Sequence, residues 1–287
     1  MPTNADITDV SLGSAGVASL YLGSNMIWPK KPLALALAWE AQLLALYGNG
    51  TPAWINNTVS QRQAIPASCR NNTTAISISQ FQACALLSDG TPVVWGVNQL
   101  GVLDVPATAI QNSKFAAITG NTGFAVTKTG SVVSWGQSIY GIRSIPAGLT
   151  DVEDLALGGS FVIARKSNGT LVGWGTNTDG LLNIPAGLNR VVNLFFGFSC
   201  VVAVREEGDY VVWGTGSWPS TFSSIDTVFA TTSMGGGGTH YVLKLNGNLE
   251  LHRFGSMRVV HTEVAAIPGG GEFALKFDGT VVTIPRQ

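Results

Sequence analysis

The three histidines of this chain, His240, His252 and His261, are the side chains best suited to acid–base chemistry or metal binding. No H-x-x-H, H-E-x-x-H or carboxylate–histidine spacing surrounds them, so the pattern of a zinc site or a general base is missing. His252 stands where other copies of a repeat, described below, carry tryptophan, which favours a packing role. The histidines therefore predict neither a metal site nor a catalytic base.

Two acidic clusters, within residues 151–154 and 206–209, carry the oxygen ligands that Ca²⁺ prefers. Neither has the alternating ligands of a calcium loop, and we interpret both as solvated turns, the second at a hairpin tip. The glycines of residues 235–238 have no lysine after them and precede no helix, which predicts a turn and not a phosphate loop. Because G-x-S-x-G motifs and paired carboxylates for glycan cleavage are also missing, we expect no enzymatic activity, cofactor or metal.

The composition of the chain limits its partners. Charged residues make up 11% of the 287 residues, and the net charge is −1, so we expect no nucleic-acid binding. No apolar stretch reaches the roughly 18 residues of a membrane span, and residues 1–10 lack the pattern of a secretory signal. We therefore expect synthesis in a cytoplasm without membrane insertion. Cys69, Cys84 and Cys200 lack C-x-x-C spacing and are predicted to be buried thiols.

A unit of about 39 residues recurs seven times, and it must position any functional side chain. Its anchor is a turn glycine, found at Gly50, Gly90, Gly130, Gly169, Gly208, Gly247 and Gly279, at intervals of 40, 40, 39, 39, 39 and 32 residues. Alanine or valine stands five residues before every anchor. Tryptophan stands five residues after four of the anchors, and proline sixteen residues after four. We predict that the small residue allows neighbouring sheets to approach closely, that tryptophan fills the wider gap between them, and that proline lies in a coil along a sheet edge.

Each unit has the pattern of three short strands joined by turns that contain glycine. In the third unit, β-branched and aromatic residues alternate in residues 115–119, 123–127 and 131–135. A repeat of this length made of short strands predicts an all-β radial or stacked array, and the chain length suits a single β-propeller.

The repeat also carries a recognisable motif, G-x-x-F-A-L-K-x-D-G-T-V-V-x-W-G followed by I-P-A-G-L. Residues 271–282 (GEFALKFDGTVV), 173–175 (GWG) and 184–188 (IPAGL) show its parts. In these residues the chain resembles the repeat family of the regulator of chromosome condensation. Its V-P-A segment is similar to that of the bacterial members, which include a secreted β-lactamase inhibitor. The resemblance covers residues 33–287 and implies a seven-bladed β-propeller. The strand count of seven per type predicts that the chain ends meet to close the ring.

Residues 1–32 do not follow the repeat and are predicted to form a small β-rich N-terminal module, with a linker at residues 29–32. Two L-G-S steps stand ten residues apart within V-x-L-G-S-x-x-V-x-x-L-Y-L-G-S-x-x-I-W-P. This doubled pattern resembles a module at the amino terminus of many bacteriophage structural and tail-associated proteins. The resemblance implies attachment to a virion through Leu12, Leu20, Tyr21, Leu22, Ile27 and Trp28. About thirty residues bury too little surface to be stable alone, and the alternative is a hairpin that covers one propeller face.

The loops after the tryptophan position differ most between copies. They are expected to share one face with the loops that join the first two strands of each unit. Tyr140, Trp218 and Phe254 are large aromatic residues in these loops, which also carry the polar residues Gln99 and Asp179. Since exposed aromatic side chains are common anchors of recognition, we predict a binding face that includes these five residues. The alternative is that the aromatic rings fold back over the blade edges.

The sequence therefore predicts a non-enzymatic bacteriophage virion protein, associated with the tail or decorating the capsid, and made in the host cytoplasm. Residues 1–32 are expected to contact other virion proteins, with homo-oligomers possible in the particle. The propeller is expected to recognise a host-surface glycan or protein. The alternative is a soluble bacterial protein-binding propeller resembling the β-lactamase inhibitor, against which the missing secretory signal counts. A guanine-nucleotide exchange factor, like the founding eukaryotic family member, is disfavoured because the chain has no basic tail.

Overall fold

The computed structural model of the chain shows that the regular structure of its described residues is almost entirely β-sheet. The described residues are 9–13, 16–21, 35–38, 42–54, 64–79, 81–197, 199–207, 209–216, 231–233, 239–243, 248–253, 256–266, 273–276 and 281–283. Among them, the helical elements are two 3₁₀ turns, Ala67–Cys69 and Thr178–Gly180. None of the helical elements in these residues has the length and hydropathy to cross a lipid bilayer.

Seven antiparallel sheets follow one another along the described part of the repeat region, one for each repeat. The first three sheets are β3 (Leu35–Ala38), β4 (Gln42–Leu46), β5 (Pro52–Trp54); β6 (Thr73–Ile78), β7 (Gln82–Leu87), β8 (Pro92–Gly96); and β9 (Ser113–Thr119), β10 (Thr122–Thr127), β11 (Val132–Gly136). The next two are β12 (Val152–Leu157), β13 (Phe161–Lys166), β14 (Leu171–Gly175); and β15 (Val191–Gly197), β16 (Cys200–Arg205), β17 (Tyr210–Gly214). The last two are β18 (Thr231–Ser233), β19 (Thr239–Leu243), β20 (Leu249–Arg253), β21 (Ser256–His261); and β22 (Val264–Ala266), β23 (Phe273–Lys276), β24 (Val281–Thr283).

A separate two-stranded sheet precedes the repeats. Its strands, β1 (Asp9–Gly13) and β2 (Gly16–Tyr21), pair antiparallel with a register shift between Val10 and Leu12. The shift allows Val10 to lie opposite Leu20 while Leu12 lies opposite Val17. Strand β2 therefore carries one extra residue between these two pairs, as in a β-bulge.

The middle strand of the second and third sheets is buried along its whole length. All six residues of β7 and all six of β10 are buried. An antiparallel sheet with one solvated face would bury only alternate residues, so these strands are covered on both faces by neighbouring sheets. The repeated alanine lies on this middle strand, and Ala85, Ala125 and Ala164 are each 0% exposed. A larger side chain there would overpack the contact, as the sequence predicted.

The first strand of a later sheet contacts the first strand of the sheet before it, in the pairs β3–β6, β6–β9, β9–β12 and β15–β18, and it also meets that sheet's middle strand, in the pairs β4–β6, β7–β9 and β10–β12. The third strands carry the tryptophans that fill the space between sheets farther out. Trp135 belongs to a buried cluster with Cys84 and Ala116, and so fills the gap between the second and third sheets. Trp174 occupies the same place in the next cluster. First strands therefore lie on the inner side of the array and third strands on the outer side.

Hydrogen bonds also join successive sheets at the turn glycines. The backbone N–H groups of Thr73, Ser113, Val152 and Val191 donate to the carbonyl oxygens of Gly50, Gly90, Gly130 and Gly169, at 2.9 to 3.0 Å. Gly169 has a φ of +76°, and a Cβ atom there would lie 2.5 Å from Cα of Arg190. Glycine is therefore required both by the left-handed backbone and by the close approach of the next sheet.

The tryptophans add a polar contact that the sequence did not predict. The indole Nε1 atoms of Trp135, Trp174 and Trp213 donate to the carbonyl oxygens of Val102, Ile142 and Leu181, at 2.8, 2.6 and 2.8 Å. The acceptors Val102, Ile142 and Leu181 lie seven residues after Trp95, Trp135 and Trp174, in the loops of the previous repeats. Each indole therefore holds the loop of the repeat before its own. For Trp95 the equivalent position is residue 62, which lies outside the described residues.

Two local predictions were wrong. The acidic cluster near residue 151 is not a solvated turn throughout, because Glu153 and Asp154 lie in β12. Asp154 lies directly opposite Arg165 in this sheet. In the preceding sheet the equivalent pair of positions holds Phe115 and Val126.

The sixth repeat continues into a fourth strand, β21, at the position where the sequence predicts a loop after the tryptophan position. Residues 256–261 (SMRVVH) contain two valines and no proline, so they can pair along the sheet edge.

Candidate recognition surface

Two kinds of loop meet at one end of the sheets. The turn between the first two strands of a sheet accepts a backbone hydrogen bond from the loop after its third strand. The pairs are Val97 N to Phe81 O, Gln137 N to Asn121 O, Thr176 N to Ser160 O and Gly216 N to Ser199 O, at 2.8 to 3.1 Å. We call this end the loop face, formed by described residues 79, 81, 97–104, 119–121, 137–144, 158–160, 176–183, 199 and 214–216. The other end, with the turns at 88–91, 128–131, 167–170 and 206–207, is the hairpin face.

Three equivalent turns on the loop face have an unusual backbone. Leu100, Tyr140 and Asp179 have φ values of +56°, +55° and +58°, and each precedes a glycine that also has positive φ. The N–H of the residue after that glycine bonds to the carbonyl of the residue before the turn centre, as in Ile142 N to Ile139 O at 3.1 Å. Two consecutive positive φ values are typical of a type I′ turn, in which asparagine, aspartate or glycine is the ordinary first residue. Leucine and tyrosine are strained there.

The strained side chains are also exposed. Leu100 is 63% exposed and Tyr140 is 61% exposed, with Ile139 and Phe81 partly exposed on the same face. Packing against the sheets therefore does not account for a large apolar residue at either strained position. Positive φ also occurs at hairpin-face residues such as Gln111 and Arg190, so strain alone does not select a face. The combination of strain with an exposed apolar side chain makes the Leu100 and Tyr140 turns the centre of the candidate surface.

A chain of side-chain amides runs beside the Tyr140 turn and joins the second sheet to the third. Gln82 is 3% exposed, and its Nε2 donates to Val97 O at 2.9 Å and to Asn121 Oδ1 at 3.1 Å. Asn121 Nδ2 in turn donates to Gln137 Oε1 at 3.4 Å. The backbone of Gln137 is fixed as well, because its carbonyl accepts from the Thr122 hydroxyl at 2.7 Å. These bonds fix the orientation of an amide three residues before Tyr140.

Charge is distributed unequally between the two faces. The described residues of the loop face include three charged side chains, Asp104, Arg143 and Asp179. The Arg143 guanidinium donates to Gly136 O at 2.6 Å, and Asp179 Oδ2 accepts from the Ser199 hydroxyl at 2.6 Å. The hairpin ends of the sheets carry ion pairs instead: Lys114–Glu153, Arg165–Asp154, Lys166–Asp151, Arg190–Glu206, Arg190–Glu207, Arg205–Asp209 and Lys276–Glu263. The loop face is thus polar and apolar but weakly charged.

The acidic cluster at the second hairpin tip has the character expected from the sequence. Glu206, Glu207 and Asp209 are exposed and lie at the turn that follows β16. The hydrogen bond from the Arg205 guanidinium lowers the pKa of the Asp209 carboxyl below its usual range. Among the described residues, no group of three or more histidine, cysteine, aspartate or glutamate side chains could hold a metal ion.

The cysteines are buried, as predicted. Burial, followed by the nearby Cys69, raises the pKa of the Cys84 thiol to about 12, and burial also raises that of Cys69. A thiol that stays protonated is a poor nucleophile and a poor metal ligand. These two groups therefore belong to the core and do not form a reactive site.

Three of the five predicted binding-face residues lie together on the loop face. Tyr140 and Asp179 occupy the same position of successive turns, and Gln99 directly precedes the equivalent residue Leu100. Trp218 and Phe254 lie outside the described residues. Of the predicted attachment residues, Leu12 lies in β1, and Leu20 and Tyr21 lie in β2, whereas Leu22, Ile27 and Trp28 are outside the described residues.

Sequence reasoning missed Leu100 and the amides of Gln82, Asn121 and Gln137 as parts of this surface. A signal for Leu100 was present, because the residue before glycine in N-Q-L-G, S-I-Y-G and N-T-D-G falls at one repeat position. The amide chain had no such signal. Its members are separated by 39 and 16 residues, and the equivalents of Gln82 in the next two repeats are Thr122 and Phe161.

Comparison with known proteins shows the fold. Two plant structures are similar: the WD40 ectodomain of the Arabidopsis thaliana receptor kinase ACR4 (TM-score 0.62, 14% identity, covering 88% of this chain and 94% of that one) and the ectodomain of the Physcomitrella patens receptor kinase CR4 (TM-score 0.63, 17% identity, 85% and 69%). Human WBSCR16 is similar at a TM-score of 0.51 and 12% identity, with 90% and 83% covered. No protein-family model and no curated protein sequence matches the chain. Since WD40 repeats form propellers, the predicted all-β propeller fold is confirmed.

Proposed function

We propose that this chain is a non-enzymatic recognition protein that binds its partner through the loop face. The observation that carries the proposal is the pair of exposed apolar residues, Leu100 and Tyr140, held at strained positions of equivalent turns. The small charge of that face, compared with the ion-paired hairpin face, supports the choice. Function is commonly located on loops that a rigid scaffold positions.

We further propose that the propeller is a closed, seven-bladed ring of the type found in the family of the regulator of chromosome condensation. The motif in residues 173–188 and 271–282 and the series of seven sheets support this assignment. Closure requires the sheet of β3 to pack against the sheet of β22, which removes two exposed sheet edges.

The proposed setting is a bacteriophage virion, tail-associated or decorating. Residues 1–32 attach the chain to other virion proteins, and the loop face recognises a molecule on the host surface. The doubled L-G-S pattern supports this setting, together with the antiparallel hairpin that β1 and β2 form within it. A hairpin of this size is at best marginally stable alone, so a docking partner is expected.

Immunogold electron microscopy of purified phage particles tests the virion setting. Gold at the tail supports adsorption, and gold over the capsid supports decoration. The absence of gold from every particle would overturn the virion proposal in favour of the soluble protein-binding propeller. Deletion of residues 1–32 should leave a folded propeller that no longer joins the particle.

Adsorption of labelled full-length protein to host cells tests the loop face. We expect Tyr140→Asn to reduce binding and Gln111→Asn to leave it unchanged. Gln111 is a matched control, since it is exposed, has a φ of +56° and lies beside the hairpin turns. Equal binding by the two variants would exclude the Tyr140 turn as the binding surface.

A further inference from the structure

The amide chain beside the Tyr140 turn ends in a hydrogen-bond donor with no assigned use. Gln137 Oε1 accepts from Asn121, and its Nε2 makes no hydrogen bond to any described residue. Oriented polar groups that remain unpaired at a surface are available to a ligand. The orientation of the Gln137 amide is determined by Asn121, whose own amide is held by the buried Gln82.

Gln82 shows that this arrangement has a cost. Its Oε1 atom is sealed from solvent and has no hydrogen-bond partner among the described residues. A buried acceptor left unpaired destabilises a protein, whereas leucine or valine could fill such a position without that penalty. The two donations from Nε2, to Val97 and Asn121, are therefore the interactions for which the amide is suited, and both fix groups of the loop face.

From the geometry we infer that Gln137 and Tyr140 form a subsite for a neutral glycan, with Gln82 and Asn121 as positioning residues. A sugar ring presents an apolar C–H face, which an exposed aromatic ring can cover, and hydroxyl groups, which accept from an amide N–H. Both groups stand within four residues of one loop. The inference rests on the proposed recognition function and identifies its ligand class.

The charges of the face favour a neutral ligand. Within residues 97–103 and 137–142 there is no ionisable side chain other than Tyr140. The cation among the described residues of the loop face, Arg143, donates to the carbonyl oxygens of Gly136 and Ser134 and so is directed to the backbone of its own sheet. An acidic glycan would be desolvated here without a paired cation, which is unfavourable. A protein partner is the competing class, because Leu100 and Ile139 are exposed nearby.

The test is an array of neutral and acidic bacterial surface glycans probed with labelled full-length protein. The strongest neutral glycan is then titrated by calorimetry. We expect Tyr140→Asn and Gln137→Glu each to weaken its affinity about tenfold or more. Gln137→Glu retains an oxygen for Asn121 but removes the N–H donors. The Gln111→Asn control should bind like the unmodified protein.

The positioning role of Asn121 has its own readout. Asn121→Asp keeps the acceptor for Gln82 and removes the donor to Gln137, so affinity should fall in the unmodified background. In the Gln137→Ala background the same substitution should have no further effect, because the amide that it orients has been removed. A merely structural role would give the same loss in both backgrounds and would overturn the positioning assignment.

The outcomes separate the ligand class from the proposed function. Binding of acidic glycans alone, or of none, would overturn the neutral-glycan inference. If the array shows no binding while host-cell adsorption still depends on Tyr140, the recognition function stands and the ligand is a protein. If host-cell adsorption is also independent of Tyr140, the proposed recognition surface is itself wrong.

Discussion

Backbone strain at Leu100 and Tyr140 can be measured by comparing two truncations at the same position. Alanine and asparagine both replace the large exposed side chain by a smaller one, but asparagine adopts a left-handed backbone at a lower cost in free energy. A left-handed conformation costs an ordinary residue about 1–2 kcal/mol. We therefore expect Leu100→Asn and Tyr140→Asn to be more stable than Leu100→Ala and Tyr140→Ala by about 1 kcal/mol each.

The two turns belong to loops of different sheets, so their effects should add. The free energy of unfolding of the Leu100→Asn, Tyr140→Asn double variant should exceed that of the Leu100→Ala, Tyr140→Ala double variant by about 2 kcal/mol. For a chain of this size, that corresponds to a difference in Tm of about 4–8 °C. Urea unfolding followed by tryptophan fluorescence provides the free energies. Ile139 is the internal control, because it lies in the same loop without positive φ. The Ile139→Asn variant should therefore be no more stable than the Ile139→Ala variant.

Equal stability of the asparagine and alanine variants at positions 100 and 140 would show that the backbone is not strained there. The loop face would then lose its main support as the proposed binding surface. If the expected difference appears, the apolar residues are locally unfavourable choices at exposed positions, and stability cannot explain them. Functional sites commonly carry such conflicts between local preference and the residue present.

Three further predictions concern the scaffold. Gly169→Ala should destabilise the protein by about 3 kcal/mol or more, because its Cβ meets the next sheet's backbone, whereas Gly148→Ala, with positive φ but open space, should cost about 1 kcal/mol in urea unfolding. Trp135→Phe should cost about 2 kcal/mol by losing its hydrogen bond to the previous loop, and more than Trp95→Phe, since Trp95 has no acceptor among the described residues. The Cys84 thiol, with a pKa near 12 when folded, should not react with a thiol reagent at pH 8 until urea unfolds the chain; it ionises near pH 9.0 when unfolded, so stability should fall as pH rises above that value.

The architecture could be predicted because the repeat determines it through contacts that recur. A turn glycine accepts a hydrogen bond from the next sheet, an alanine allows that sheet to approach, and a tryptophan fills the gap farther out. Each contact requires a residue type at a fixed spacing, so the requirement is visible in the sequence. The fourth strand β21 has no counterpart in the other described repeats, so the repeat pattern does not predict it.

The loop face was only partly predictable because its decisive properties are set by the backbone and by distant neighbours. Tyrosine before glycine carries no preference for positive φ, so the turn at Tyr140 had to be seen in the structure. The link from Gln82 to Asn121 depends on two sheets meeting at a particular offset. A single sequence shows the residue types of such a chain but not that their amides touch.

The scaffold also explains how strained turns persist on this face. The loops after Trp95, Trp135 and Trp174 are each tied to their own sheet by a backbone hydrogen bond from the residue two positions after the tryptophan, as Gln137 bonds to Asn121. The next tryptophan holds the same loop from the other side, as Trp174 holds Ile142 two residues after Tyr140. A strain of about 1–2 kcal/mol is small against two such constraints and the buried sheets behind them. The structure therefore makes no demand on the side chain of residue 140, which leaves that side chain available for the proposed binding.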